Sequence, residues 1–404
     1  MASPKRAPAA LPCLAAIIVT ACSGSRPDDT PQAVAAREYV RISQAHIGRT
    51  LDSVAASLWD GRFAGSILVA HGDEILLSKG YGMADAEASR PNTPLTVFDA
   101  GSLAKAFTAV ATLQLVEAGK LRLDQTIQTL FSDVPPDKRR ITIHQLLTHT
   151  AGLQQYHDDG DDFQALDRSD ALKRILAAPL RFEPGAQYRY SNSGHTLLAA
   201  IIERVSGVSW TDYLRHHIFL PAGMEYTGFY GDPRWRTTGA AHAYDAEGQD
   251  RGSPLSWKGP SWVLIGNGGI VTNIVDLFRW HRALQGGALL GSRWVAEITA
   301  PKESSRGYLP NRYKRIRDVA GNIMVSYFGW RWRGPDSVDV LEKGGAMDYG
   351  HTSLFRYEPE RDVVIIVLSN HWVQDTQGLL LRVPLMDALH AAVVRLIVPM
   401  KNAA

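Results

Sequence analysis

The chain has 404 residues, with 43 Lys+Arg against 41 Asp+Glu and a formal net charge of +2, a near-balance that speaks against a nucleic-acid partner. With 45% hydrophobic and 21% charged residues it is globular rather than disordered. No apolar run reaches the ~20 residues that cross a bilayer as a helix, and the two cysteines, Cys13 and Cys22, cannot build a disulfide scaffold.

Lys5 and Arg6 followed by the apolar stretch Leu11 to Ala21 have the layout of a secretory signal over residues 1–21. It closes on Val19-Thr20-Ala21-Cys22, which resembles the bacterial lipobox, whose cysteine is lipidated and becomes the first mature residue. Several acyl chains on one cysteine make a stable anchor where one alone is marginal. The alternative is an ordinary cleaved signal; either way the chain is expected to be exported to the bacterial periplasm or cell envelope. Residues 22–32, rich in Ser, Asp, Thr and Pro, read as a tether, and residues 33–398 as one domain.

Within that domain, Ala33 to Leu58 has apolar residues at roughly helical spacing. Gly65 to Ala70 and Glu74 to Tyr81 read as strands joined by the hairpin signal His71-Gly72-Asp73. Leu103, Phe107, Val110, Leu113 and Val116 describe one face of a helix that stops at Gly119. Residues 120–320 mix helical runs with Gly-, Pro- and Trp-rich loops and are expected to form a mainly helical lobe. Tyr327 to Arg333, Val338 to Leu341, Thr352 to Tyr357 and Val363 to Leu368 read as strands, and Leu379 to Val398 as a terminal helix. The economical fold is α/β (α+β): an antiparallel sheet built from both chain ends, flanked by the terminal helices, with the helical lobe beside it.

The first chemical signal is Gly101-Ser102-Leu103-Ala104-Lys105. Ser102 opens the predicted helix, where backbone N–H groups are unpaired and the dipole is positive. Lys105, one helical turn on, brings its amine over the same face, and a neutral lysine beside a serine can accept its proton. Serine is also a favoured N-cap, and Ser-x-x-Lys arises by chance about once in a chain this size, so the motif gains weight only from company. Company comes from Tyr190-Ser191-Asn192, a phenol in a polar loop just before an apolar helix, and from Lys343-Gly344-Gly345-Ala346 between two strands. There two glycines allow a close backbone approach beside a fixed positive charge.

In this order and spacing the three elements resemble the serine β-lactamase and penicillin-binding superfamily, in its class C β-lactamase-like branch. That branch also holds D-alanyl-D-alanine carboxypeptidases, D-aminopeptidases and family VIII esterases. Ser102 to Lys105 matches its Ser-x-x-Lys, Tyr190 to Asn192 its Tyr-x-Asn, and Lys343 to Gly345 its Lys-Thr-Gly. Leu146-Leu-Thr-His149-Thr-Ala-Gly-Leu153, Ile218 to Met224 and Gly268 to Asn273 are also similar to family stretches, so the likeness runs over about residues 50–372. Two departures stand out: Gly344 replaces the family's Thr, and Ala346-Met-Asp-Tyr-Gly-His351 is one residue longer than the usual loop.

The resemblance implies a serine hydrolase of β-lactamase, carboxypeptidase or esterase type. Ser102 is the expected nucleophile, and Lys105 and Tyr190 share the role of proton acceptor. The backbone N–H groups of Ser102 and Ala346 form the oxyanion hole; Asn192 holds the substrate amide or orients Lys105; Lys343 and Gly345 bind substrate, Lys343 through a carboxylate. The alternative is a penicillin-recognising or cell-wall-binding module on the same fold with little turnover. No cofactor or metal is expected, and a monomer with a small-molecule or peptide acyl substrate is. His157-Asp-Asp-Gly-Asp-Asp162 reads as a solvated loop rather than a metal loop, His149 as a structural histidine, and Trp257 and Trp262 as groove-lining.

Overall fold

The computed structural model describes residues 41–42, 46–57, 63–302, 324–334, 338–374 and 382–401. The signal and tether with Cys13 and Cys22, residues 33–40 and 43–45 of the predicted first helix and the loop around 303–320 lie outside the described residues. Arg41–Ile42, inside that predicted helix, form a strand instead because they pair with the edge of the sheet.

A seven-stranded antiparallel sheet runs in the order β1-β3-β2-β12-β11-β10-β9. Its N-terminal strands are β1 (Arg41–Ile42), β2 (Gly65–His71) and β3 (Glu74–Tyr81). Its C-terminal strands are β9 (Trp330–Arg333), β10 (Asp339–Ala346), β11 (Thr352–Glu358) and β12 (Val363–Ser369). The two chain ends meet where β12 pairs with β2, Val367 opposite Ile67. The hairpin between β2 and β3 turns at Gly72, whose φ of +58° suits glycine.

Both faces of the sheet are covered, and the two-residue period of a strand decides which side chain goes where. Ile67, Val69, Val363, Ile365 and Val367 pack with helices α1 (His46–Ser57) and α10 (Arg382–Lys401), the two terminal helices. Leu68, Val364, Ile366 and Leu368 point the other way, into the larger core. That second core runs without a break from the sheet through helix α2 (Ala104–Glu117) into helices of the middle segment, among them α5 (Asn192–Ser206) and α8 (Ile274–Gln285).

Helix α2 departs from the one-faced reading. Ala104 through Leu113 are all buried, because the residues between the large apolar ones are Ala and Thr, small enough to be packed on every side. Its threonines find internal partners: Thr108 Oγ1 donates to Gly266 O at 2.7 Å and Thr112 Oγ1 to Thr108 O at 2.8 Å. Ser102 does not lie in the α-helix itself but in a single 3-10 turn, Gly101–Leu103, that leads into it.

The middle segment carries α3 (Ile143–Leu147), α4 (Arg168–Ala177), α6 (Trp210–Leu214), α7 (Trp235–Thr238) and α9 (Ser292–Thr299) beside α5 and α8. The middle segment and residues 83–99 before it also hold strands that the sequence reading passed over. Besides the short hairpin β4 (Met83–Asp85) and β5 (Arg90–Pro91), a three-stranded sheet joins β6 (Phe98–Asp99), β8 (Ile270–Thr272) and β7 (Gly228–Phe229). Strands of two or three residues are too short to show a period. Among the described residues no helix is long and apolar enough to cross a membrane.

Candidate active site

The serine sits on a turn braced from below. Gly101 has φ +53°, and its N–H donates to Asp99 Oδ1 at 2.6 Å. Asp99 is fully buried, and its other oxygen accepts from Tyr349 Oη at 2.6 Å and from Tyr230 Oη. Burial pushes its carboxyl up, and those three donors oppose the shift. The Asp99 N–H in turn donates to His351 Nδ1 at 2.8 Å; that imidazole is buried, held down to about 3, and neutral. Tyr349 and His351, from the segment that follows β10, thus build the floor under Ser102.

Strand β10 passes directly over this turn. Beyond Glu342 its outer edge has no strand partner among the described residues, since β9 pairs only with Asp339 to Glu342. A Cβ on Gly345 would lie 2.6 Å from Ser102 N and 2.2 Å from Ala100 O, and one on Gly101 would lie 3.0 Å from Ala346 N. Only bare backbone fits. This contact brings the backbone N atoms of Ser102 and Ala346 onto neighbouring segments.

Lys105 is fully buried, and its Nζ donates to Ser102 Oγ at 2.9 Å and to Asn267 O at 2.8 Å. Its pKa is well below the usual lysine value, first through burial and then through the nearby charge of Lys343, with Asp162 opposing. Neutral Lys105 can keep its donation to Asn267 and take the Ser102 proton through the same 2.9 Å contact. Tyr190 completes the group, its ring centroid 5.0 Å from Lys105 Nζ and 5.7 Å from Lys343 Nζ. It stands just before Ser191, which caps α5 by accepting from Gly194 N at 3.0 Å and donating to Gln154 O at 2.7 Å.

These groups open onto a cleft of about 540 Å³. Ser102, Tyr190, Asn192, Gly345 and Ala346 line it, with Asp158, Asp162, Arg189, Trp330 and Asp348 among the other walls. Asn192 does not orient Lys105: that amine is held by Asn267, and Asn192 Oδ1 has no hydrogen-bond partner among the described residues. Lys343 is 6% exposed and borders a separate space of about 10 Å³ with His149, His195 and Tyr188. Burial lowers its amine to about 7.

Several outer residues fall differently from their sequence reading. The loop from His157 to Asp162 is not simply solvated. His157 is buried, with Nε2 against Trp262 O at 2.9 Å and Nδ1 against Ser193 Oγ at 3.2 Å, while Asp162 turns into the cleft, its carboxyl raised to about 7 by burial and neighbouring carboxylates. Trp257 is no groove wall: it is buried against Tyr349, Tyr230 and His351 at centroid distances of 4.7, 5.2 and 5.6 Å, and Trp262 is not among the cleft residues either. Among the described residues no group of three or more His, Cys, Asp or Glu is placed to hold a metal ion. Sequence reasoning missed Asn267 because Lys105 is held by its backbone carbonyl, which any residue type supplies. Asp99 left one readable trace, a short polar side chain two residues before a glycine turn.

A buried lysine with a depressed pKa, within hydrogen-bond reach of a serine at a helix entrance, is an arrangement that can activate a serine as a nucleophile. The chain belongs to the Beta-lactamase family, whose model matches residues 51–383. Penicillin-binding protein 4* of Bacillus subtilis (strain 168) is 29% identical over 325 residues, 76% of this chain and 68% of that protein. Esterase EstB of Burkholderia gladioli is 33% identical over 208 residues, 46% of this chain and 53% of that one. The chain spans 59% to 60% of the length of other curated relatives that it matches. Among solved structures, D-amino acid amidase from Ochrobactrum anthropi SV3 superposes with TM-score 0.73 at 21% identity, covering 87% of this chain and 99% of that one. A class C beta-lactamase does so with TM-score 0.71 at 19% identity, covering 87% and 97%. At these identities the structural likeness speaks for the fold.

Proposed function

We propose that this protein is an exported, lipid-anchored serine hydrolase that acts through an acyl-enzyme on Ser102, with a β-lactam, a D-amino-acid peptide or an ester as acyl donor. The observation that carries the reading is the 2.9 Å contact between Ser102 Oγ and the buried Nζ of Lys105. A module that recognises its ligand without a covalent bond has no need of a depressed lysine against its serine, so the contact favours acylation over non-covalent recognition.

In the first step the Ser102 oxygen bonds to the substrate carbonyl carbon while its proton passes to Lys105 or, through it, to Tyr190. The two groups act as a coupled pair in the field of Lys343. Negative charge on the carbonyl oxygen is met by the N–H groups of Ser102 and Ala346. The bond to the leaving group then breaks, and the leaving group departs with the proton held by the pair. Water enters, gives a proton to the same pair, and its oxygen bonds to the acyl carbon. The Ser102 ester opens, and the serine regains its proton. Asn192, among the cleft-lining residues, holds the amide of the donor, beside the Gly345 backbone. Lys343 supplies positive potential toward a substrate carboxylate from behind Tyr190. Export and anchoring rest on the run from Val19 to Cys22.

The test is intact-protein mass spectrometry after exposure to benzylpenicillin, a D-Ala-D-Ala peptide and p-nitrophenyl acetate. A transient adduct on Ser102 with product release supports a hydrolase and names the donor. An adduct that persists with no turnover supports the binding module, and no adduct from any class defeats the acyl-enzyme reading.

A further inference from the structure

We propose that His149 is the positioning residue for Tyr190, holding the N–H groups of the residues before and after the phenol and lying against its ring. The proposal rests on the reading of Tyr190 as a proton carrier and goes beyond the purely structural part the sequence suggested.

The clamp is made by one residue. The carbonyl of His149 accepts from Arg189 N at 2.9 Å, and its ring Nδ1 accepts from Ser191 N at 3.2 Å. These N–H groups belong to the 188–189 and 190–191 peptides, so the chain is tied to the same partner one residue before Tyr190 and directly after it. The His149 ring also lies against that of Tyr190, centroids 4.6 Å apart at an interplanar angle of 34°. Behind it His195 continues the stack at 4.8 Å and 33°, and Tyr188 meets it edge-on at 5.9 Å. With the backbone held at both sides and the ring at one face, the direction of the phenol oxygen depends on His149.

Two further features fit a positioning part better than plain packing. His149 has φ +59°, one of three non-glycine residues in the described structure with positive φ. That conformation is disfavoured for a residue with a Cβ and persists where surrounding contacts over-determine it. His149 is also 8% exposed, and its imidazole is kept neutral by burial and by the charges of Lys343 and Lys105. With Nδ1 accepting from Ser191, the neutral ring carries its proton on Nε2. It adds no third cation beside the two lysines and so leaves the proton-accepting group undisturbed.

The test compares His149→Gly with His149→Asn by steady-state turnover of p-nitrophenyl acetate, or of whichever donor acylates Ser102. Glycine accepts a positive φ without strain, so the fold is kept while ring and acceptor are lost. Asparagine tolerates the same φ and presents Oδ1 near the place of Nδ1, so the bond from Ser191 is kept. The expected result is a ~100-fold fall in kcat for His149→Gly with KM nearly unchanged, as for a catalytic group displaced by about an ångström. His149→Asn should recover most of that loss. In the Tyr190→Phe background His149→Gly should cost nothing further, since there is no phenol left to aim, whereas a merely structural residue would cost the same in both backgrounds. Wild-type kcat in His149→Gly, no recovery in His149→Asn, or an undiminished effect in Tyr190→Phe would each overturn the proposal. If Tyr190→Phe itself keeps full turnover, the proton-carrier reading of Tyr190 fails and this one falls with it; a slow Tyr190→Phe beside a normal His149→Gly defeats only the clamp.

Discussion

Lys105 Nζ hangs from the carbonyl of Asn267 at 2.8 Å, although 162 residues separate them. The loop that brings Asn267 there is tied to both central helices: Thr108 of α2 donates to Gly266 O at 2.7 Å, and Thr196 of α5 to Ile265 O at 2.9 Å. Asn267 Nδ2 donates back to Thr196 Oγ1 at 2.8 Å. The helix that follows the Ser102 turn and the helix beginning just after Tyr190 are thus locked to one loop, which also fixes where the lysine amine sits.

The nucleophile assignment predicts that Ser102→Ala loses the acyl adduct entirely. Turnover should drop by ~10³-fold or more while circular dichroism stays native. An adduct on another serine of the variant, found by peptide mapping, would sink the assignment.

Proton acceptance by Lys105 requires its neutral form, so kcat/KM should rise with pH through the Lys105 titration. The charge of Lys343 depresses the Lys105 pKa and that of Asp162 raises it. Lys343→Ala should therefore move the rising limb to higher pH, and Asp162→Asn should move it to lower pH. The Lys343 effect should be largest below about 7, where that amine is itself charged. Limbs that stay in place in both variants would take Lys105 out of the proton-accepting role.

Removing the charge of Asp99 tests the floor of the site. Asp99→Asn keeps the shape but turns one acceptor into a donor facing Tyr230 and Tyr349. The fold should lose about 1–3 kcal/mol, read as a lower urea midpoint at unchanged m value. Turnover should fall as well, because the Gly101 turn that presents Ser102 loses part of its anchor. A variant with wild-type midpoint and kcat would show that the Asp99 cluster is dispensable.

The anchor is tested apart from catalysis. Cys22→Ser should shift the protein from the membrane fraction to the soluble one and abolish labelling by a radiolabelled fatty acid. Equal membrane retention of both forms would count against the lipobox.

Sequence alone determined the main sheet apart from β1, the terminal helices from His46 to Ser57 and from Arg382 onward, and the three motifs, because these depend on local chemistry. A strand buried on both faces, such as Val363 to Ser369, is apolar at nearly every position, and glycines at 101 and 345 mark where backbone must meet backbone. What only the tertiary structure decided are contacts between groups with no side-chain signature or no neighbour in sequence. The Lys105 amine is oriented by a main-chain carbonyl, not by Asn192. Asp99 is enclosed by Tyr230 and Tyr349, far away in the chain, and Lys343 is buried behind Tyr190 instead of lining the cleft. Residue type states which hydrogen bonds a group can make; burial and long-range approach, settled only when the helices close on the sheet, state which ones it does make and hence where each proton rests.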